Sequence, residues 1–171
     1  ADLVAHAGTL PATEEGFVLR FTDGTRLKVK GDEYRRIHAL ISRCTPLAMW
    51  EAMLAGDNMT MVRDQLPDEF LGDFDAIIER LKHRLLSITL DVRATAEDVE
   101  ALTDKELGLK LDQLPERVRK FIFPYRKNDG DLLNGHPKTR EAVFRAIRPT
   151  GNVLPGYIPS YAMNRVAEES L

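Results

Sequence analysis

The stretch that decides the fold is PDEFLGDFDAIIERLKHRLLSITLDV, which runs from Pro67 to Val92. Its apolar residues recur at steps of three and four, at Phe70, Phe74, Ile77, Ile78, Leu81, Leu85, Ile88 and Val92. This spacing places a broad apolar stripe on one side of an α-helix, and such a stripe has to be covered by other elements. The sequence therefore predicts one long helix at the centre of a mainly α-helical protein.

Helical patterns continue on both sides of this stretch. Asp32 is placed to cap a helix that carries Tyr34 and His38, and a second helix opens at Pro46 and ends at Gly56. Shorter helices are predicted within residues 1–10 and at Ala96–Leu102, Asp104–Leu111, Pro115–Phe123 and Thr139–Ile147. From Pro149 to Pro159 the chain contains too many Pro and Gly residues for a regular element.

One β-hairpin is predicted near the start, from the runs FVLRF (17–21) and RLKVK (26–30). Asp23-Gly24 between them favours a two-residue type I′ turn. That turn would pair Phe17 with Lys30 and Leu19 with Lys28, because directly paired residues share a face of the sheet.

On this pairing one face of the hairpin carries a carboxylate, three cations and an apolar floor. Its members would be Glu15, Phe17, Leu19, Phe21, Arg26, Lys28 and Lys30. Converging lysines bind phosphate as point charges, and a nearby carboxylate helps to hold a divalent cation that neutralises phosphate oxygens. The alternative is a hairpin whose lysines only protect an open sheet edge from aggregation.

These residues resemble a known enzyme family. Glu15-Gly16-Phe17-Val18, followed by Lys28-Val29-Lys30, is similar to the last two nucleotidyltransferase motifs of ATP-dependent, phage-type RNA ligases related to tRNA-repair enzymes. The continuation DEYRRIH (32–38) also resembles the segment that follows in that family.

The resemblance implies roles for four residues. Glu15 would contribute to the metal and nucleotide site, as a possible Mg²⁺ ligand, and Gly16 would allow close approach of the backbone. Lys28 and Lys30 would bind the ATP phosphates and act in the adenylyl-transfer steps. The implied cofactors are ATP and Mg²⁺, and the implied activity joins an RNA 3′-hydroxyl to a 5′-phosphate through enzyme–AMP and RNA–adenylate intermediates.

The same resemblance implies that the sequence is the C-terminal portion of a ligase. The family's adenylylated lysine lies in a Lys-x-Asp-Gly motif well before these strands, whereas fourteen residues precede Glu15 here. We therefore expect residues 1–43 to be the end of an α+β nucleotidyltransferase domain and residues 44–171 to be an all-helical domain. We also expect these residues alone to be unable to form enzyme–AMP. Lys127-Asn128-Asp129-Gly130 spells that motif in the wrong place, and we interpret it as a loop between helices.

Charge is unevenly distributed along the chain. Residues 51–79 hold eight acidic side chains against Arg63 alone, whereas residues 114–148 hold nine basic and four acidic ones. The basic region predicts contacts with RNA through phosphate binding and stacking on unpaired bases, and the family resemblance implies tRNA as that RNA. The candidates are Arg117, Arg119, Lys120, Tyr125, Arg126 and Lys127. The alternative is an ordinary solvated helix surface.

Composition narrows the class of protein. With 43% hydrophobic residues and a net charge of −3, the chain is not a disordered tail, and it has no run of eighteen apolar residues that would span a membrane. Its single cysteine, Cys44, favours a reducing, cytoplasmic location. A second functional hypothesis stays open at this point, namely a non-catalytic helical module that binds RNA or protein and carries a purely structural hairpin.

Overall fold

The computed structural model describes residues 2–11, 13–42 and 44–164, apart from the side chains of Ile37 and Leu40. Residues 165–171 of the predicted helical domain therefore lie outside the described residues. About 61% of the described residues are helical, and they contain one antiparallel hairpin. The prediction of a mainly α-helical fold is confirmed.

The elements follow one another in a simple order. Helix α1 (Leu3–Gly8) precedes the hairpin strands β1 (Gly16–Arg20) and β2 (Arg26–Lys30). The helices that follow are α2 (Asp32–Ser42), α3 (Pro46–Ala55), α4 (Met59–Arg63), α5 (Asp68–Asp98), α6 (Asp104–Lys110), α7 (Glu116–Lys127) and α8 (Pro137–Ala146). A short 3₁₀ turn, Leu111–Gln113, connects α6 to α7.

Local sequence signals account for most of the helix ends. Thr45 caps α3 by accepting a hydrogen bond from the Ala48 N–H, and Pro46 occupies the first turn. Gly56 ends the helix in the left-handed conformation, at φ 87°. Thr103 and Glu106 form a reciprocal capping box at the start of α6.

The long helix α5 forms the centre of the hydrophobic core. Its 31 residues extend over about 45 Å. The predicted stripe is buried at Phe70, Phe74, Ile77, Ile78, Leu81, Ile88 and Val92. Helix α7 packs along α5, while α3 and α8 also pack on it, and the Trp50 indole N–H donates a hydrogen bond to the Phe144 carbonyl between α3 and α8.

One predicted helix does not form as a separate element, another ends later than predicted, and one short helix was not predicted. The predicted helix Ala96–Leu102 does not form, because α5 itself continues to Asp98 and the chain then turns. Helix α7 does not stop at Phe123 but runs through Pro124 to Lys127. Helix α4 has only five residues, too few to show a period in the sequence.

The hairpin lies outside the main core. It packs mainly against α1, and the buried cluster begins at Ile41, near the end of α2. Val18, Phe21 and Leu27 remain more than half exposed. Among the described helices, none is long and apolar enough to cross a membrane.

Candidate functional site

The hairpin turn differs from the prediction, and this changes the pairing of the strands. The Phe21 N–H donates to the Thr25 carbonyl at 2.9 Å, and the Gly24 N–H donates to the Phe21 carbonyl at 3.0 Å. Gly24 has φ 89°, while Asp23 is not in the left-handed region that a type I′ turn would require. The loop therefore has three residues, Thr22–Gly24, with Gly24 as the left-handed one.

The three-residue loop shifts the register by one residue. Gly16 pairs with Lys30, Val18 with Lys28 and Arg20 with Arg26. The predicted pairs Phe17–Lys30, Leu19–Lys28 and Phe21–Arg26 are wrong for this reason. Since a shift of one residue exchanges the faces of a strand, the lysines no longer share a face with Phe17, Leu19 and Phe21.

The actual register separates charge from apolar surface more completely than the predicted one. The cationic face of the hairpin carries Arg20, Arg26, Lys28 and Lys30 beside Val18. The opposite face carries Phe17, Leu19, Leu27 and Val29. On that apolar side Phe17 stacks against His6 of α1, with ring centroids 5.6 Å apart.

Glu15 reaches the lysines in spite of the changed register. Its carboxylate lies 3.3 Å from the Lys30 Nζ, in an ion pair that is about half exposed on both sides. Strand alternation alone would place Glu15 on the Phe17 side, but Gly16 has φ 136°, a conformation that interrupts the regular alternation. The three predicted catalytic residues, Glu15, Lys28 and Lys30, are therefore brought together.

These three residues line one open cleft of about 600 Å³ between the cationic face and α2. Helix α2 contributes the other wall through Tyr34, Arg35, His38, Ala39 and Ser42. The Lys30 Nζ lies 5.4 Å from the centroid of the Tyr34 ring, and the Tyr34 and His38 rings are 4.1 Å apart. The cleft thus combines cations, one carboxylate and an aromatic pair, which suits a phosphate ester that carries a ring.

The sequence signal for the α2 wall is the spacing of its residues. Tyr34, His38 and Ser42 recur at steps of four, so they share one face of the helix. The sequence alone assigns no role in the site to Arg35 or His38, because nothing in the spacing shows that this helix folds back over the lysine strand.

Glu15 is the candidate Mg²⁺ ligand, and its surroundings limit how an ion could be held. Among the described residues, no group of three His, Cys, Asp or Glu side chains could bind a metal ion. Mg²⁺ commonly uses one or two carboxylates and completes its shell with water and substrate phosphates. The residues present fit such an ion only when a polyphosphate supplies most of the remaining oxygens.

The candidate RNA-binding residues on α7 fall into two groups. Arg117 pairs with Asp91 at 2.8 Å, and Arg119 pairs with Asp112 at 3.3 Å. Arg126 binds the carbonyls of Val99 and Leu102 and the carboxylate of Asp104, so it joins the end of α5 to the start of α6. These three arginines are engaged within the protein.

Lys120, Lys127 and Tyr125 form the second group. Lys120 and Lys127 are exposed, with Lys120 lying over the Phe121 ring. Tyr125 is half-buried beside Gly130. Phe121 is fully buried and belongs to the core.

The misplaced nucleophile motif forms the end of α7. Lys127 is the last helical residue, Asn128 caps the helix, and Asp129 and Gly130 both have positive φ. The Asp131 carboxylate then accepts hydrogen bonds from the Leu133 and Asn134 N–H groups, which lowers its pKa. This geometry agrees with a loop between helices.

Comparison with protein-family models, curated proteins and solved structures finds no match to this chain.

Proposed function

We propose that this sequence is the C-terminal part of an ATP-dependent RNA ligase. The complete enzyme would join an RNA 3′-hydroxyl to a 5′-phosphate through enzyme–AMP and RNA–adenylate. The observation that carries the proposal is the convergence of Glu15, Lys28 and Lys30 on one cleft. The three side chains meet although the strands pair in a different register from the predicted one. This supports a shared role in one site rather than three separate roles at the edge of a sheet.

Phosphate binding follows from the charges in the cleft. Lys28 and Lys30 would hold the phosphates of ATP and the 5′-phosphate of RNA as point charges, with Arg35 at the outer wall. Positioned cations lower the cost of charge that develops on a transferring phosphoryl group. Bound Mg²⁺ would supply further charge neutralisation, with Glu15 as its protein ligand. The lysine that carries AMP would come from residues outside this sequence.

The exposed apolar surface of the hairpin gives independent support. A two-stranded sheet is at best marginally stable in water by itself. Val18, Phe21 and Leu27 are 56%, 51% and 51% exposed, and no further strand pairs with β1 or β2 within the described residues. A hairpin of this kind is expected to join a larger sheet, as it would at the end of a nucleotidyltransferase domain formed by residues 1–43 and the preceding chain.

Residues 44–171 would then form the accessory helical domain, with RNA such as tRNA as its ligand. Lys120, Tyr125 and Lys127 are the candidates whose side chains remain most available for it. The ligase would act in the cytoplasm, where Cys44 remains a thiol.

The test is adenylylation and RNA sealing by the complete gene product, with ATP labelled at the α-phosphate. We expect Glu15→Ala, Lys28→Ala and Lys30→Ala each to lower label transfer or sealing by at least about tenfold, because each removes a charged contact to phosphate or metal. Arg26→Ala is the matched control. Arg26 lies on the same face of the hairpin, but it does not line the cleft and takes no part in the Glu15 ion pair.

Two outcomes would count against the proposal. Absence of labelled protein in the wild type would remove the ligase function and favour the non-catalytic helical module. Wild-type activity in all three cleft variants would remove the site assignment.

A further inference from the structure

A second cavity lies beside the cleft, at the junction of α2, α3 and the segment 150–164. It has a volume of about 260 Å³ and a mainly apolar wall. We call it the junction pocket. Its wall includes Cys44, Pro46, Tyr157, Pro159 and Met163, and its polar rim includes Ser42, Asn152 and Asn164.

A buried carboxylate holds the far wall of this pocket in place. Asp73 of α5 is 5% exposed and is the only buried charged residue among those described. It accepts a hydrogen bond from the Tyr157 hydroxyl at 2.7 Å and another from the Ser160 N–H at 2.9 Å. Because a buried carboxylate needs such partners, this pair fixes the segment 157–160 against α5 and pre-forms the pocket.

On the near wall, the described lining residues are uncharged. Thr45 and Pro46 form the capped start of α3. Cys44 is fully buried, and its burial, reinforced by the Asp73 charge, raises the pKa of the thiol to about 11. The thiol therefore stays neutral at physiological pH and belongs to the apolar packing of the wall rather than acting as a nucleophile.

Ser42 connects the pocket to the cleft, since it lines both. Tyr34 and Ser42 lie eight positions apart on the same face of α2, which is about 12 Å along the helix axis. The cations Lys28, Lys30 and Arg35 belong to the cleft, and the apolar wall with two amides belongs to the pocket. A nucleotide strand matches this arrangement, since its charged phosphates would lie in the cleft and a flat base would lie in the apolar pocket.

We propose that the junction pocket binds one unpaired base of the RNA strand whose phosphates lie in the cleft. The flat face of the base would contact the apolar wall, and the amides of Asn152 and Asn164 would hydrogen-bond to its edge. This inference rests on the proposed function and adds its substrate class, which is an RNA end with at least one base outside a duplex. Asp73 acts as a positioning residue because it touches the wall and not the base.

The test compares single-stranded RNA oligonucleotides that carry a 5′-phosphate and one abasic site, moved along the strand, in binding to the complete gene product. We expect one position at which loss of the base weakens binding by at least about tenfold, since a base seated on an apolar or aromatic surface contributes about 1 to 3 kcal/mol. Asn152→Trp, which fills the pocket from its exposed rim, is expected to abolish that dependence.

Two comparisons separate this pocket from other sources of the effect. Val153→Trp adds the same ring at the next residue, which is 70% exposed and does not line the pocket, and it should keep the wild-type dependence. Affinity for the abasic strand itself should be similar in both Trp variants, because the lysines of the cleft determine it. Absence of any base-dependent position, or its persistence in Asn152→Trp, would overturn the proposal.

Enzyme–AMP formation, measured in the same preparations, distinguishes the two proposals. A protein that forms enzyme–AMP without base dependence would refute the pocket and keep the ligase. A protein that shows base dependence without forming enzyme–AMP would refute the ligase, and the pocket would then belong to a non-catalytic module that binds RNA.

Discussion

At the scale of single residues, Gly16 has the strictest requirement in the candidate site. Its φ of 136° is a conformation that side chains disfavour, and a methyl group there would overlap the Val29 carbonyl oxygen and come within 2.9 Å of the Lys30 Cα. Both effects act on the strand that carries the lysines. Gly16 therefore determines how Glu15 enters the cleft as well as how closely the strands pair.

We expect Gly16→Ala to lower the free energy of local opening of the hairpin by about 1 to 3 kcal/mol, the usual cost of such backbone strain. Amide hydrogen exchange of residues 17–30 measures this opening directly. Gly72→Ala is the matched control, since it lies inside α5 with no atom within 4 Å of the added methyl group. That change should stabilise the protein by about 1 kcal/mol. Unchanged hairpin exchange in Gly16→Ala would contradict the argument.

At the scale of elements, the hairpin shows what local sequence can predict and where it stops. Asp23-Gly24 and the two β-forming runs predicted the strands to within one residue. The pairing was wrong because Asp-Gly is compatible with both a two-residue and a three-residue loop, and one residue decides which face the lysines occupy. The Asp23 carboxylate accepts a hydrogen bond from the Thr25 N–H, which lowers its pKa and stabilises the longer loop.

The helices show the same division between local and tertiary information. The stripe of α5 predicted its existence and its buried face, since periodicity depends only on the helix itself. Its C-terminal end depends on Arg126, which is distant in sequence and binds the carbonyls of Val99 and Leu102. The same contact holds the last turn of α7, which follows Pro124, against the chain just after α5. No local pattern contains that information.

Arg126 is therefore expected to stabilise the packing of α5, α6 and α7 rather than to bind RNA. Arg126→Met leaves two carbonyls without their donor and should lower the free energy of unfolding by about 1 to 3 kcal/mol. Arg117→Met breaks an exposed ion pair with Asp91 and a long hydrogen bond to the Ser87 hydroxyl, and should cost about 0 to 1 kcal/mol. Denaturation in urea measures both. Equal effects of the two substitutions would show that the carbonyl contacts of Arg126 contribute nothing beyond its charge.

At the scale of the whole molecule, the site and the charge distribution were predictable to different extents. Glu15, Lys28 and Lys30 were candidates from the resemblance alone, and the structure places all three on one cleft. The α2 wall and the Asp73 support of the junction pocket depend on contacts between segments up to 87 residues apart, such as Asp73 with Ser160. The one signal in the sequence for this support was Asp73, an aspartate among the apolar residues of the α5 stripe. It was interpreted only as part of the acidic region.

The acidic and the basic regions of the sequence both pack around the long central helix. Residues 51–79 include the second half of α3, all of α4 and the first part of α5, while α7 packs along α5 and α8 packs on both α3 and α5. Since Arg117, Arg119 and Arg126 are engaged in contacts with the protein, the net positive charge of residues 114–148 overstates the number of cations free to meet phosphate. RNA binding by this surface should therefore depend on few charges, with Lys120 and Lys127 the main ones.

The salt dependence of RNA binding by the complete gene product tests this directly. Each phosphate contact to single-stranded nucleic acid contributes about 0.7 to the slope of log K against log salt. The double substitution Lys120→Gln and Lys127→Gln should thus lower that slope by about 1.4, whereas Arg117→Gln should change it little because Asp91 already neutralises that charge. Fluorescence anisotropy over a series of salt concentrations gives both slopes. A larger loss in Arg117→Gln than in the lysine pair would show that RNA displaces the ion pairs of α7, and would return the arginines to the interface.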